Sequence, residues 1–269
     1  MMSYLALPFV ALASDPWFWA LISLCAGSFM TVAAYRLPLM LDAWAEGHPC
    51  DVSLTRPGSF CPACLKPLAW YRNLPLLGFC ISRLKPCCDS PVLLRYLALE
   101  LCAVAWGVFA WWLHQDSALH VWGWSLFGWG LITCAAVDYR TQWLPDVLTL
   151  GLLWAGLAML ALGGDADLLV SRVLQVAGVY LGLTGLLWLY EVLRKVPQAM
   201  GGGDVKLLCA LAAWLDPLAL AHVLVLGSAL QLAGMLALKK KQAAFGPALC
   251  LAALVAYLVP VVLTYRVTF

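Results

Sequence analysis

The chain has 269 residues, 64% of them hydrophobic and only 11% charged, with a formal net charge of +2. Soluble globular proteins average about 45–50% apolar and about 25% charged residues, so the composition excludes that class and indicates an integral membrane protein. The opening stretch MMSYLALPFVALASDPW has no Lys or Arg, which excludes the basic start of a secretory signal and suggests a short lead-in outside the cytoplasm.

Apolar runs fall at 17–37, 93–113, 118–137, 147–163, 168–190, 205–215, 218–238 and 247–265. Most reach the ~20 residues that ~30 Å of hydrocarbon requires. The run at 205–215 is short and reads as a half-penetrating or interfacial helix. The expected fold is therefore an all-α polytopic membrane protein with about eight transmembrane helices. Its parts are a first transmembrane helix (1–37), a cysteine-rich loop domain (38–92) and a transmembrane core (93–269).

Orientation follows from Lys and Arg. Fourteen of the sixteen, from Arg36 through Arg140 and Lys206 to Lys239, Lys240 and Lys241, fall on the side of the long loop; only Arg172 and Arg266 fall on the other. The loop is expected to be cytoplasmic and both termini outside. The fourteen tryptophans suit interfacial belts, although WGWSLFGW at 122–129 also reads as a small-residue packing face.

Six of the eleven cysteines, Cys50, Cys61, Cys64, Cys80, Cys87 and Cys88, crowd the loop. A reducing cytoplasm disfavours disulfides, so the cluster points to metal; CPAC, with Cys61 and Cys64, has the spacing of a zinc knuckle. Glu100 lies within the second run, where an ionisable side chain is either functional or part of an internal polar network.

Two further acids sit at the ends of apolar runs. Asp138 closes LITCAAVD and Asp204 follows Gly201, Gly202 and Gly203; by the charge rule both lie at the cytoplasmic face. Two carboxyls held together share one proton, which equips one to take a proton from water while the other polarises a scissile carbonyl. The glycines would let backbone approach an extended peptide closely. A purely structural reading makes Asp204 a helix cap, Asp138 a partner of Arg140, and Asp146 a helix-start residue. A functional alternative is a transporter or channel with the acids as an ion relay.

The words themselves carry a resemblance. GGGDVKLL (201–208) is similar to the GxGD signature of intramembrane aspartic proteases. GSFMTVAAYRLP (27–38), CPACLKPLAWYRNLPLLGF (61–79), RYLALELCA (95–103), VDYRTQWLPDVLTL (137–150) and FGPAL (245–249) resemble, in order, segments of the type IV prepilin peptidase family. The resemblance implies Asp138 and Asp204 as the catalytic pair, with Gly201 and Gly203 in the active-site loop. It implies removal of the basic leader of type IV prepilins, or of type II secretion pseudopilins, after a glycine at the cytoplasmic face of the bacterial inner membrane. It further implies N-methylation of the new terminus from S-adenosylmethionine, and a zinc-ribbon-like loop. Prepilins or pseudopilins and the lipid bilayer are the expected partners, with no nucleic acid. Asp42, Glu46, Asp51 and Asp89 are candidates to attract the leader, or simply solvated loop charges. The family's second CxxC is altered: Cys88 holds its last position, but Lys85 stands where the partner should be. Cys87 is then the fourth ligand beside Cys61, Cys64 and Cys88, or Cys80 or His48 reaches in, or the site has three ligands or none.

Overall fold

The computed structural model describes residues 15–61, 63–84, 87–88, 92–195, 200–239 and 243–264. The N-terminal lead-in, Lys85, Asp89, Lys240, Lys241 and Arg266 lie outside the described residues. Among those described, regular structure is helical apart from one isolated antiparallel bridge, Phe60 to Pro67. In lipid a chain must satisfy its own backbone hydrogen bonds, which helices and closed barrels do, and this chain uses helices. Two compact units divide it, Met1–Thr133 and Cys134–Phe269.

The first unit contains α1 (Pro16–Ala45), a 3-10 turn (Trp70–Asn73), α2 (Leu77–Leu84), α3 (Val92–Leu113) and most of α4 (Ala118–Thr141). Asp15 caps α1, its carboxylate accepting the Trp17 N–H at 2.8 Å, and Pro16 occupies the first helical position, where its missing N–H costs nothing. The helix does not stop at 37 as expected but runs through Pro38 to Ala45. Leu39, Met40, Leu41 and Ala43 favour helix and outweigh the one hydrogen bond the proline removes. Arg36, buried on α1, donates to the carbonyls of Ser53 (2.8 Å) and Gly58 (3.2 Å) and so ties the loop to the helix.

Small residues let α1 and α3 touch. A Cβ on Gly27 would stand 2.8 Å from the Cα of Glu100, and one on Gly107 would strike the Ser23 hydroxyl. The Trp106 ring lies over Gly128 and its N–H donates to the Trp124 carbonyl at 2.8 Å; the Trp129 N–H donates to Ala103 at 3.0 Å. Trp19, Trp106, Trp124 and Trp129 are thus buried packing residues rather than belt residues, each indole N–H that is paired here having found a carbonyl.

The second unit holds the end of α4, then α5 (Asp146–Gly163), α6 (Ala166–Arg194), α7 (Gly202–Trp214), α8 (Pro217–Leu238) and α9 (Gly246–Thr264). Among the described residues each expected apolar run is helical, and five of the helices, α1, α3, α5, α6 and α8, are long and apolar enough to cross a membrane. With 13 residues, α7 rises only about 20 Å. It packs between α5 and α6, with every residue from Leu207 to Leu215 buried, so it is a core helix of its unit. A helix apolar on all sides belongs in such a place. Trp214 presses on Gly156 and donates to the Leu152 carbonyl at 2.9 Å. Where α7 ends, Arg172 and Gln175 of α6 donate to the freed Leu215 carbonyl, and Asp216 caps α8 through the Ala219 N–H at 2.8 Å.

Candidate active site

Asp138 lies near the end of α4, just after the fully buried Val137, and is itself only 4% exposed. Its Oδ2 accepts the backbone N–H of Gly246, the first residue of α9, at 2.9 Å. A Cβ at position 246 would stand 2.5 Å from that oxygen. Glycine therefore allows a helix N-terminus, with its partial positive charge, to reach the carboxylate. Asp204 occupies the first turn of α7, whose cap is Gly201; the Asp204 N–H donates to the Gly201 carbonyl at 3.1 Å. A Cβ on Gly203 would lie 2.9 Å from the Cβ of Leu144, and Leu144 also reaches toward Gly246. This buried leucine, in the short extended link between α4 and α5, is the wedge against which the starts of α7 and α9 are set.

Both carboxyls stand at helix ends just beyond the apolar runs 118–137 and 205–215. Burial raises the Asp138 pKa above the ordinary carboxyl range, and the Gly246 N–H restrains the rise. Burial pushes Asp204 up to about 6, with the charge of Asp138 adding to the effect. The two acids are thus within electrostatic reach, and the second to ionise does so against the first.

The glycines differ in what they do. Gly203 is required by its contact with Leu144, whereas a Cβ on Gly201 would make an ordinary contact of 3.4 Å with Asp204, and one on Gly202 would meet nothing within 4 Å. Asp146 opens α5, and both its carboxylate oxygens meet the Lys206 ammonium, at 2.6 and 2.7 Å. Half-exposed pairs of this kind stabilise by about 0–1 kcal/mol; its effect is to join the first turns of α5 and α7. Gly246, Leu144 and Lys206 were not singled out from the sequence. The available signal was the glycine before proline in FGPAL, placed at the start of an apolar run.

In the first unit, Phe60 and Cys61 pair back onto Lys66 and Pro67, with the Cys61 N–H donating to Lys66 at 2.9 Å and the Leu65 N–H to Cys61 at 2.8 Å. Cys61 and Cys64 thereby face Cys87 and Cys88, and all four sulfurs lie within 4.8 Å of one another. The separations are 3.5 Å for Cys61–Cys88, 3.9 Å for Cys64–Cys87 and 3.9 Å for Cys87–Cys88. A tetrahedral site with Zn–S of about 2.3 Å puts sulfurs about 3.8 Å apart, so the donor set fits zinc in type, number and spacing. Of the alternatives open in the sequence, it is Cys87 that joins the group; among the described residues neither Cys80 nor His48 does. For the Cys61 thiol, burial opposes ionisation, but the backbone N–H groups of Cys64 and Ala63 and the neighbouring thiols outweigh it and bring the pKa down to about 7. Cys88 moves the other way, up to about 12, through its bond with Cys61 first and burial second.

Glu100, on α3, is half-buried and accepts the Leu76 N–H at 2.9 Å from the turn before α2, so it belongs to a polar contact between the loop and the helix.

Comparison with known proteins gives the chain's family. A model of the bacterial peptidase A24 N-terminal domain matches residues 21–114, and one of the type IV leader peptidase family matches 125–238. A Klebsiella pneumoniae prepilin leader peptidase/N-methyltransferase is 40% identical over 221 residues, covering 80% of this chain and 93% of the relative. The Legionella pneumophila protein of the same name is 35% identical, covering 90% and 91%, and that of Neisseria gonorrhoeae 33%, covering 86% and 85%. No solved structure matches. With that much of each chain shared, the protein belongs to the type IV leader peptidase family.

Proposed function

We propose that the chain is a membrane aspartic endopeptidase that removes the leader of prepilins or pseudopilins, with Asp138 and Asp204 as its catalytic pair, and that it N-methylates the new terminus. The relatives' names support both activities. The observation that supports the catalytic assignment is geometric. Leu144 lies against both Gly203, the residue before Asp204, and Gly246, whose N–H bonds Asp138. Two carboxyls of one unit are thus set about one side chain, and burial raises the pKa of each. Between them the pair holds one proton. The ionised carboxylate takes a proton from water, whose oxygen attacks the scissile carbonyl carbon. The protonated partner gives its proton to the carbonyl oxygen, and collapse breaks the C–N bond as the leaving amine is protonated. The Gly246 N–H holds Asp138 in place by a bond to one oxygen. Gly201 and Gly202, which packing does not require, leave room for substrate backbone.

The finer topology belongs to the same reading: eight crossings, a cytoplasmic loop and cleavage at the cytoplasmic face of the inner membrane, as the basic residues require. Zinc on Cys61, Cys64, Cys87 and Cys88 gives a zinc-ribbon-like loop, folding a segment too short for a core of its own. S-adenosylmethionine, when bound, supplies an electrophilic methyl group. The ion-relay alternative draws no support from the family.

The test is incubation of the purified protein in detergent with a prepilin, with and without S-adenosylmethionine, followed by intact-mass measurement. Loss of the leader is expected in both samples, and a methyl increment only with the donor. An intact prepilin overturns the peptidase assignment; a mature product without the increment overturns methylation.

A further inference from the structure

The first unit contains a partly open cavity of about 180 Å3, lined by residues of α1, α2, α3 and the loop. Its walls are aromatic on several sides, with Tyr35, Phe60 and Tyr96, and it carries charges of both signs, Glu100 and Arg72. Tyr35 and Phe60 meet edge to face, with ring centroids 6.1 Å apart. One Glu100 oxygen accepts the Leu76 N–H, which fixes the carboxyl group and leaves its other oxygen for the cavity's ligand. Arg36 also borders the cavity, but its guanidinium donates to the Ser53 and Gly58 carbonyls and lies 5.3 Å from the Phe60 ring centroid. Among the described residues no ion pair joins Arg72 to Glu100.

The walls are built for close fit. Gly27 brings α1 onto α3 at Glu100 itself, since any Cβ there would strike the Glu100 backbone. Gly78 does the same for α2, where a Cβ would collide with the Arg72 carbonyl. Cys61 and Cys87 of the thiol cluster close one side, so the candidate zinc knuckle and the cavity share a wall.

We propose that this cavity binds the sulfonium amino-acid end of the methyl donor, with Glu100 and the aromatic rings facing the cationic sulfur and Arg72 pairing with the donor's carboxylate. The inference rests on the methylation reading and gives it a site. A carboxylate in a partly enclosed place recognises a cation more strongly than in water, and ring faces add to that attraction. An arginine supplies the matching fork for a carboxylate. A free terminal amine, as on a cleaved pilin, shares the positive charge, so the test separates the two sources.

The experiment is equilibrium binding to the full-length protein in detergent of three probes: S-adenosylmethionine, the uncharged thioether S-adenosylhomocysteine, and a peptide with a free N-terminal phenylalanine. Wild-type protein is expected to prefer the sulfonium to the thioether. Glu100→Gln should weaken the sulfonium by about tenfold or more while leaving the thioether nearly unchanged, as loss of a charge-assisted contact predicts. Arg72→Gln, which keeps the backbone that Gly78 packs against, should weaken both nucleosides alike. Unchanged affinities in both variants overturn the proposal, as does a Glu100 dependence seen with the peptide and not with the sulfonium. Wild-type protein that binds neither nucleoside overturns the methylation reading itself, and this site with it.

Discussion

Asp138 owes its setting to a glycine 108 residues further along the chain. Gly246→Ala forces a Cβ to within 2.5 Å of the carboxylate oxygen, so α9 must retreat and the hydrogen bond is lost. A bond to a charged group contributes about 1.5–3 kcal/mol, which sets the expected loss in leader-cleavage rate at about 10- to 100-fold, with membrane insertion intact; steady-state kinetics on the purified variant checks this. The pH profile follows from the pair. Burial and the Asp138 charge raise Asp204 to about 6, so the one-proton form disappears as pH rises through the pair's upper pKa, and again as acid protonates both. Cleavage should therefore be bell-shaped in pH, and kcat/KM still climbing at high pH contradicts a shared proton. The two aspartates were legible in the sequence because a charge closing an apolar run is costly there. Gly246 was not, since the aim of a backbone N–H is set only when distant helices meet.

Among the elements, helix positions were legible from apolar runs, but ends and surroundings were not. The first apolar run ends at 37, yet the helix-favouring residues after Pro38 carry α1 to Ala45. The shortness of α7 reads as a half-penetrating or interfacial helix. Its burial against α5 and α6, which makes it the core of its unit, is announced by no local pattern within 205–215. The thiol cluster was half legible: CPAC marks two ligands, while the adjacent Cys87 and Cys88 depend on how the loop returns. Their sulfurs, 3.9 Å apart, both fall in the group. Purified protein should carry about one zinc per chain, and Cys64→Ser should lose most of it and expose the loop to protease, as measured by metal analysis and limited proteolysis. A metal content unaffected by Cys64→Ser contradicts the four-thiolate site.

On the scale of the whole molecule, the family models match 21–114 and 125–238, and the chain divides into units at 133/134. Composition made the membrane class legible from the sequence, and the basic residues carry the proposed orientation. They predict that a periplasm-active reporter fused after Gly164 is active and one fused after Lys195 is silent; the opposite pattern reverses the topology. The central claim is that two acids in the second unit perform the hydrolysis, and it is tested most directly by mass-spectrometric assay of prepilin cleavage by purified Asp138→Asn and Asp204→Asn proteins. Each variant should insert normally and lose activity by a factor on the order of a thousand or more, whereas wild-type cleavage by either one contradicts the claim.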